Sequence, residues 1–150
     1  HYNLTRSEYY RQLDMASKSN GDIVPFILYA VQGFLDGLRD YVERVWNQQY
    51  DVAWRSYVYE RFRKHTGEAP KRRRSLVLDL SRTGAAKTKA EIAVLTPELA
   101  KTYARTTDKT LARDLNELVA MGLLMKEADR YRAKTELILS FLPIRANNTP

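Results

Sequence analysis

The chain has 150 residues, 44% of them hydrophobic, a net charge of +7 and no cysteine. That is enough for one ordinary domain or two small ones with a real core, so disorder is not expected. Disulfides and cysteine-ligated zinc are excluded, no run of about 18 apolar residues suggests a membrane span, and with His1 and His65 as the only histidines no metal centre is expected.

The first element is predicted over LTRSEYYRQLDMASKSNG. Thr5 and Glu8 have the spacing of a capping box, Tyr9, Tyr10, Leu13 and Ala16 share one side for burial, and Asn20-Gly21 supplies the stop. Asp22 is the next N-cap, with Pro25 in the first turn where its missing N–H costs little. The helix that follows is expected to run to about His65. Ile27, Val31, Phe34, Leu38, Tyr41 and Val45 recur at alternating spacings of four and three, the seam of a helix packed lengthwise on another helix, and Leu35, Val42 and Trp46 widen it. The rhythm falters at NQQYD (47–51), where a kink or break is expected, and resumes less regularly with Trp54, Tyr57, Val58 and Phe62. So long a rod either completes a larger bundle or pairs with a second copy.

HTGEAPKRRR (65–74) is the expected boundary, combining Gly67, Pro70 and a basic run. Residues 1–70 carry nine Lys/Arg against nine Asp/Glu and residues 71–150 sixteen against nine, so the whole positive balance belongs to the second half. A localised positive surface is the footprint expected for a polyanion, because neutralised phosphates release condensed counterions. The bland alternative is a basic surface that serves solubility. The expected division is therefore a helical segment over 1–66, a basic linker over 67–74 and a second domain over 75–146.

Within that domain SLVLDLS reads as a short helix with Leu76, Val77 and Leu80 inward. RTGAAKTK reads as a turn or loop, and EIAVL is too short to assign. Thr96-Pro97-Glu98 is a strong helix start: N-cap threonine, proline at the first helical position, and an acid at the positive end. After the connection ARTT, Thr107 is expected to cap a further helix with Asp108 at its positive end. In TTDKTLARDLNELVAMGLL, Leu111, Leu115, Leu118, Val119 and Gly122 fall on one side at 100° per residue, whereas Lys109, Arg113, Asn116 and Ala120 fall opposite. Gly122 ends the helix as a C′ residue. LLMKEAD and RYRAKTELILSFL then have strand character about a turn at Asp129-Arg130, flanked by Lys126, Arg130, Arg132 and Lys134.

The expected fold class is thus mainly α: a helical segment with one long helix, followed by a winged helix-turn-helix with a small β-hairpin wing. The helix over about 107–121 would enter the major groove and the hairpin would touch backbone or minor groove. The candidate DNA-contacting residues are Arg105, Thr107, Lys109, Thr110, Arg113 and Asn116, then Arg130, Arg132 and Lys134 in the wing, and Arg72, Arg73 and Arg74 of a basic arm beginning at Lys71. Against this stands an ordinary solvated helix face with an Arg113–Glu117 pair, since winged helices are also reused for docking and dimerisation. No nucleotide-binding glycine loop and no base with a partner is present, so no catalytic residue is assigned to this chain.

Thr107, Thr110, Leu111, Arg113, Asp114, Leu115, Asn116, Glu117 and Leu118, followed by Gly122-Leu123-Leu124, form the pattern T-x-x-T-L-x-R-D-L-N-E-L…GLL. It resembles the winged helix-turn-helix of DeoR-like bacterial repressors. The stretch EYYRQLDMASKSNGDIVPFILYAVQGFLDGL, with Tyr9-Tyr10, Leu13, Gly21-Asp22 and Phe26-Ile27, resembles the segment that follows the catalytic loop of Fic-family proteins, a subset of which carries a C-terminal winged helix introduced by a segment like LTPELAKTYAR. Fic proteins typically move AMP from ATP onto a protein hydroxyl with a motif HPFxxGNGRxxR. That motif is absent: His1 is followed by Tyr2-Asn3 and His65 by Thr66-Gly67-Glu68. The resemblance therefore implies the C-terminal part of a bacterial, cytoplasmic Fic protein with no cofactor of its own, ATP being expected only for a catalytic portion lying before residue 1. Duplex DNA and self-association through the Ile27–Val45 seam are the partners it implies, with a winged-helix interaction module lacking DNA binding as the alternative.

Overall fold

The structure, a computed structural model, describes residues 6–142, the side chain of Asp108 excepted. Thr5, residues 143–146 and the Asp108 carboxylate, all of which carry expectations, lie outside the described residues. The chain divides into two compact units, His1–Gln48 and Gln49–Pro150. The expected boundary at residues 66–67 thus falls inside the second unit. Among the described residues no helix is long and apolar enough to cross a membrane.

The first unit holds α1 (Arg6–Lys18) and the opening part of α2 (Val24–Phe62). Helix α1 stops as expected, with Asn20 at φ 53° and Gly21 at φ 100°, left-handed conformations that no helix can continue. Asp22 Oδ1 accepts the Val24 N–H at 3.2 Å and Pro25 sits in the first turn of α2, satisfying one of the unpaired donors at a helix start. The expected burial of Tyr9, Tyr10, Leu13 and Ala16 is not found. No residue of α1 is buried, and Tyr10 and Leu13 are 54% and 42% exposed. Tyr9 meets α2 edge-on to Phe26 at 5.9 Å. An edge contact of this kind is too little to close a core. The seam is likewise open: Ile27, Val31, Phe34, Leu38 and Tyr41 are between 44% and 66% exposed, and Val45 is half-buried.

Helix α2 stays helical through residues 47–51, where a break is expected. What changes there is the phase of the apolar pattern. Trp54, Val58 and Phe62 recur at a spacing of four and are buried in the core of the second unit. The basic run is not a linker. Helix α3 spans Glu68–Ser81 and includes Lys71–Arg74, with Leu76, Val77 and Leu80 buried as expected. Pro70 falls in the first turn of α3, where it costs no hydrogen bond, so a residue that looks like a breaker is a starter.

A short strand β1 (Lys87–Thr88) follows, then α4 (Lys89–Ala93). Both lie where a loop and an unassigned pentapeptide are expected. Thr88 Oγ1 accepts the Glu91 N–H at 3.3 Å and Glu91 Oε2 accepts the Thr88 N–H at 2.8 Å. This reciprocal capping box, with the backbone bond as the main cause and the Thr88 hydroxyl next, holds the Glu91 carboxyl down to about 2. Helix α5 (Pro97–Ala104) begins as predicted, with Thr96 accepting the Leu99 N–H at 3.2 Å.

Helix α6 (Asp108–Ala120) follows three residues later. Thr107 holds the N-cap position, but its side chain makes no capping bond; its hydroxyl lies 3.3 Å from that of Thr110 instead. The other end is a Schellman motif: Leu123 N–H donates to Leu118 O and Gly122 N–H to Val119 O, both at 3.0 Å, with Gly122 at φ 73°. That conformation is why glycine stands there. Strands β2 (Leu124–Glu127) and β3 (Arg130–Ala133) form a hairpin over Ala128-Asp129, one residue earlier than expected. With β1 they make an antiparallel sheet in the order β1-β3-β2, Lys87 opposite Tyr131 and Leu124 opposite Ala133. The central strand alternates, burying Tyr131 and Ala133 and turning Arg130 and Arg132 outward. A 3-10 helix, Thr135–Phe141, follows and buries Ile138.

Candidate nucleic-acid interface

Helix α6 is the most amphipathic element of the second unit. Leu111, Leu115 and Leu118 are at most 3% exposed, and they lock into the same core as Leu76, Leu99, Leu124 and Trp54. Their burial leaves the opposite side free. Lys109, Arg113, Asn116, Glu117 and Ala120 are exposed, and together with Ala112 they line one open, shallow depression along the helix. Thr107 and Arg105 are exposed at the turn before it, and Thr110 is half-buried. The face thus carries two cations, an amide that can both donate and accept, and one acid, Glu117.

The far end of α6 is held from α2. The Arg61 guanidinium donates to the Met121 carbonyl, placing a cation where the helix dipole is negative and a carbonyl is otherwise unpaired.

The remaining predicted arginines have internal partners. Arg130 Nη1 donates to the Ala86 carbonyl at 3.1 Å and lies 3.6 Å from Glu91 Oε2, tying the hairpin to the β1–α4 corner. Arg132 reaches both carboxylate oxygens of Glu136, at 3.1 and 3.2 Å, and is half-buried. Lys134 is half-buried at the start of the 3-10 helix. Arg74 stacks on Tyr59 at 4.5 Å.

Arg72 and Arg73 depart furthest from expectation. Both point inward from α3 to one carboxylate, Arg72 Nε to Asp114 Oδ2 at 2.6 Å and Arg73 Nε to Asp114 Oδ1 at 2.8 Å. Their side chains are 18% exposed and that of Asp114 is 1% exposed. The Tyr103 hydroxyl of α5 adds a third bond, to Oδ2 at 3.1 Å, and the Arg72 guanidinium lies 5.9 Å from the Tyr103 ring centre. Burial by itself would raise the Asp114 carboxyl; the Arg72 and Arg73 bonds, then the Arg72 charge and the Tyr103 hydroxyl, outweigh it, and the group sits below its ordinary value. The same bond to Asp114 raises Arg72, and burial followed by the nearby Asp114 charge raises the Tyr103 phenol. The expectation of a basic arm over Lys71–Arg74 is corrected accordingly: these are helical residues, and two of the arginines are occupied by a buried acid.

Asp114 and Tyr103 are the residues that reasoning from sequence missed. A signal was available. Asp114 occupies an inward position in the stripe Leu111, Asp114, Leu115, Leu118, and an acid in a leucine stripe demands a buried partner. No family model matches the chain, and neither a curated protein nor a solved structure shows significant similarity to it.

Proposed function

We propose that the second unit is a winged helix-turn-helix that binds duplex DNA, with α5 and α6 as the helix pair, α6 in the major groove and the β2–β3 hairpin as the wing. The observation that carries this is the exposed, unobstructed face of α6, where Lys109, Arg113 and Asn116 line one depression while Leu111, Leu115 and Leu118 are buried behind them. Such a face meets the needs of groove entry: long donors for phosphates and guanine edges, an amide for adenine, and no bulky apolar side chain in the way. Thr107, Thr110 and Arg105 supply phosphate contacts at the helix start. Arg72 and Arg73 are left out of the contact set, and Arg130 and Arg132 contribute wing charge only as far as Glu91 and Glu136 leave it free.

The resemblance to Fic proteins extends this to a regulatory C-terminal region of a member of that family. The chain acts by binding, and any AMP transfer belongs to a catalytic portion outside it. Self-association through the Ile27–Val45 seam completes the proposal, supported by the exposure of that face.

The test is fluorescence anisotropy of the chain on a mixed-sequence duplex over a series of salt concentrations. We expect log affinity to fall linearly with log salt, and Lys109→Ala or Arg113→Ala to reduce the slope by about 0.9 for each phosphate that is no longer neutralised. Absent or salt-insensitive binding would instead support a docking module without DNA, the reading favoured by the exposed Glu117 on the same face.

A further inference from the structure

Three helices of the second unit converge on one carboxylate. Arg72 and Arg73 come from α3, Tyr103 from α5 and Asp114 from α6 itself. No other charged or polar side chain of the described residues is as buried as Asp114. Leucines alone hold a helix against a core without dictating its rotation, because apolar contacts tolerate sliding and repacking. A carboxylate with three directional bonds does not: each oxygen must meet its own donor. Asp114 follows Arg113 directly, so fixing its azimuth fixes that of its neighbour about 100° away, and with it Lys109 and Asn116 on the same face.

We infer that Asp114 is the positioning residue of the α6 face, and that Arg72 and Arg73 serve that face through it and not as contacts to a nucleic acid. The inference rests on the DNA-binding reading for its functional consequence. Its geometric content is independent of that reading: without the Asp114 clamp, α6 remains helical but no longer presents Lys109, Arg113 and Asn116 in one fixed direction.

The experiment uses the full chain carrying Asp114→Asn, Arg72→Gln, Arg73→Gln or Tyr103→Phe, the last removing only a hydroxyl. Affinity for a mixed duplex is measured across a salt series, circular dichroism establishes that each variant is folded at the assay temperature, and amide chemical shifts of α6 are recorded. Expected are affinities lower by roughly tenfold for the charged positions and less for Tyr103→Phe, every salt slope staying at the wild-type value, since no phosphate contact is removed. Arg72→Gln combined with Asp114→Asn should weaken binding no more than Asp114→Asn alone. A slope reduced by about one in Arg72→Gln or Arg73→Gln identifies a direct phosphate contact and overturns the inference, as does unchanged affinity in folded Asp114→Asn. Wild-type protein that shows no salt-dependent binding sinks the DNA reading alone. The clamp is then decided by the amide shifts of Lys109–Asn116, which move in the variants if Asp114 orients the helix and stay put if it does not.

Discussion

At the scale of single residues, Asp114 concentrates the tension between burial and charge. A carboxylate removed from water is costly unless paired, and breaking one side of a buried pair is far more damaging than the pair is stabilising. Two guanidiniums and a phenol resolve that cost here. The linkage has a definite sign. The Asp114 carboxyl titrates below its ordinary value of 3.8 when folded, so its contribution is complete above about pH 5 and is lost as pH falls through that lowered value. Thermal midpoints followed from about pH 7 downward should therefore hold until about pH 5 and then fall progressively, with a shallower acid limb in Asp114→Asn. An identical acid limb in wild type and variant would show that the group is not paired as described. Gly122 is the other residue whose identity is dictated locally, because its φ of 73° is open to glycine at no steric cost.

At the scale of elements, the short helices depend on their ends. Helix α4 has five residues, far too few to persist on helix propensity, so Thr88 and Glu91 supply what length does not. Thr88→Ala should lower stability by about 1 kcal/mol, the ordinary value of an N-cap, measured by urea unfolding with an unchanged m-value. A loss within error would mean that Ile92, fully buried, holds the helix unaided. The sequence TKAE contains this capping box in plain view. A window dominated by Gly84 and two alanines conceals it, and the two-residue strand before it becomes a strand only by pairing with Arg130 and Tyr131, more than forty residues away. The apolar pattern over 47–51 is the converse case. A change of phase along α2 and a break in α2 look alike in one dimension, and only burial of Trp54, Val58 and Phe62 separates them.

At the scale of the whole molecule, the two units differ in how much apolar surface they enclose. Among the described residues the buried core is drawn entirely from residue 54 onward, whereas most of the exposed large hydrophobics fall between Tyr10 and Val42. A contiguous apolar face of that kind is a site of association or a liability. Sedimentation velocity should show the chain self-associating at micromolar concentration, and Leu38→Lys should shift it toward monomer with its helical circular dichroism retained. A wild-type chain that is monomeric throughout that range would remove the self-association proposal and leave the DNA-binding proposal for the second unit untouched.

What the amino-acid sequence determined by itself is everything governed by neighbours in the chain. The stop at Asn20-Gly21, the start at Thr96-Pro97, the two-sidedness of α6 and its end at Gly122 follow from backbone sterics and 3.6-residue periodicity, which act over one or two turns. The tertiary structure alone decided where charge is spent. Arg72 and Arg73 look like free cations in KRRR, and only folding brings an acid 41 and 42 residues away within hydrogen-bond reach of them. Electrostatic partners are chosen by distance in space, and that distance is set by the packing of α3, α5 and α6 and not by the order of residues along the chain.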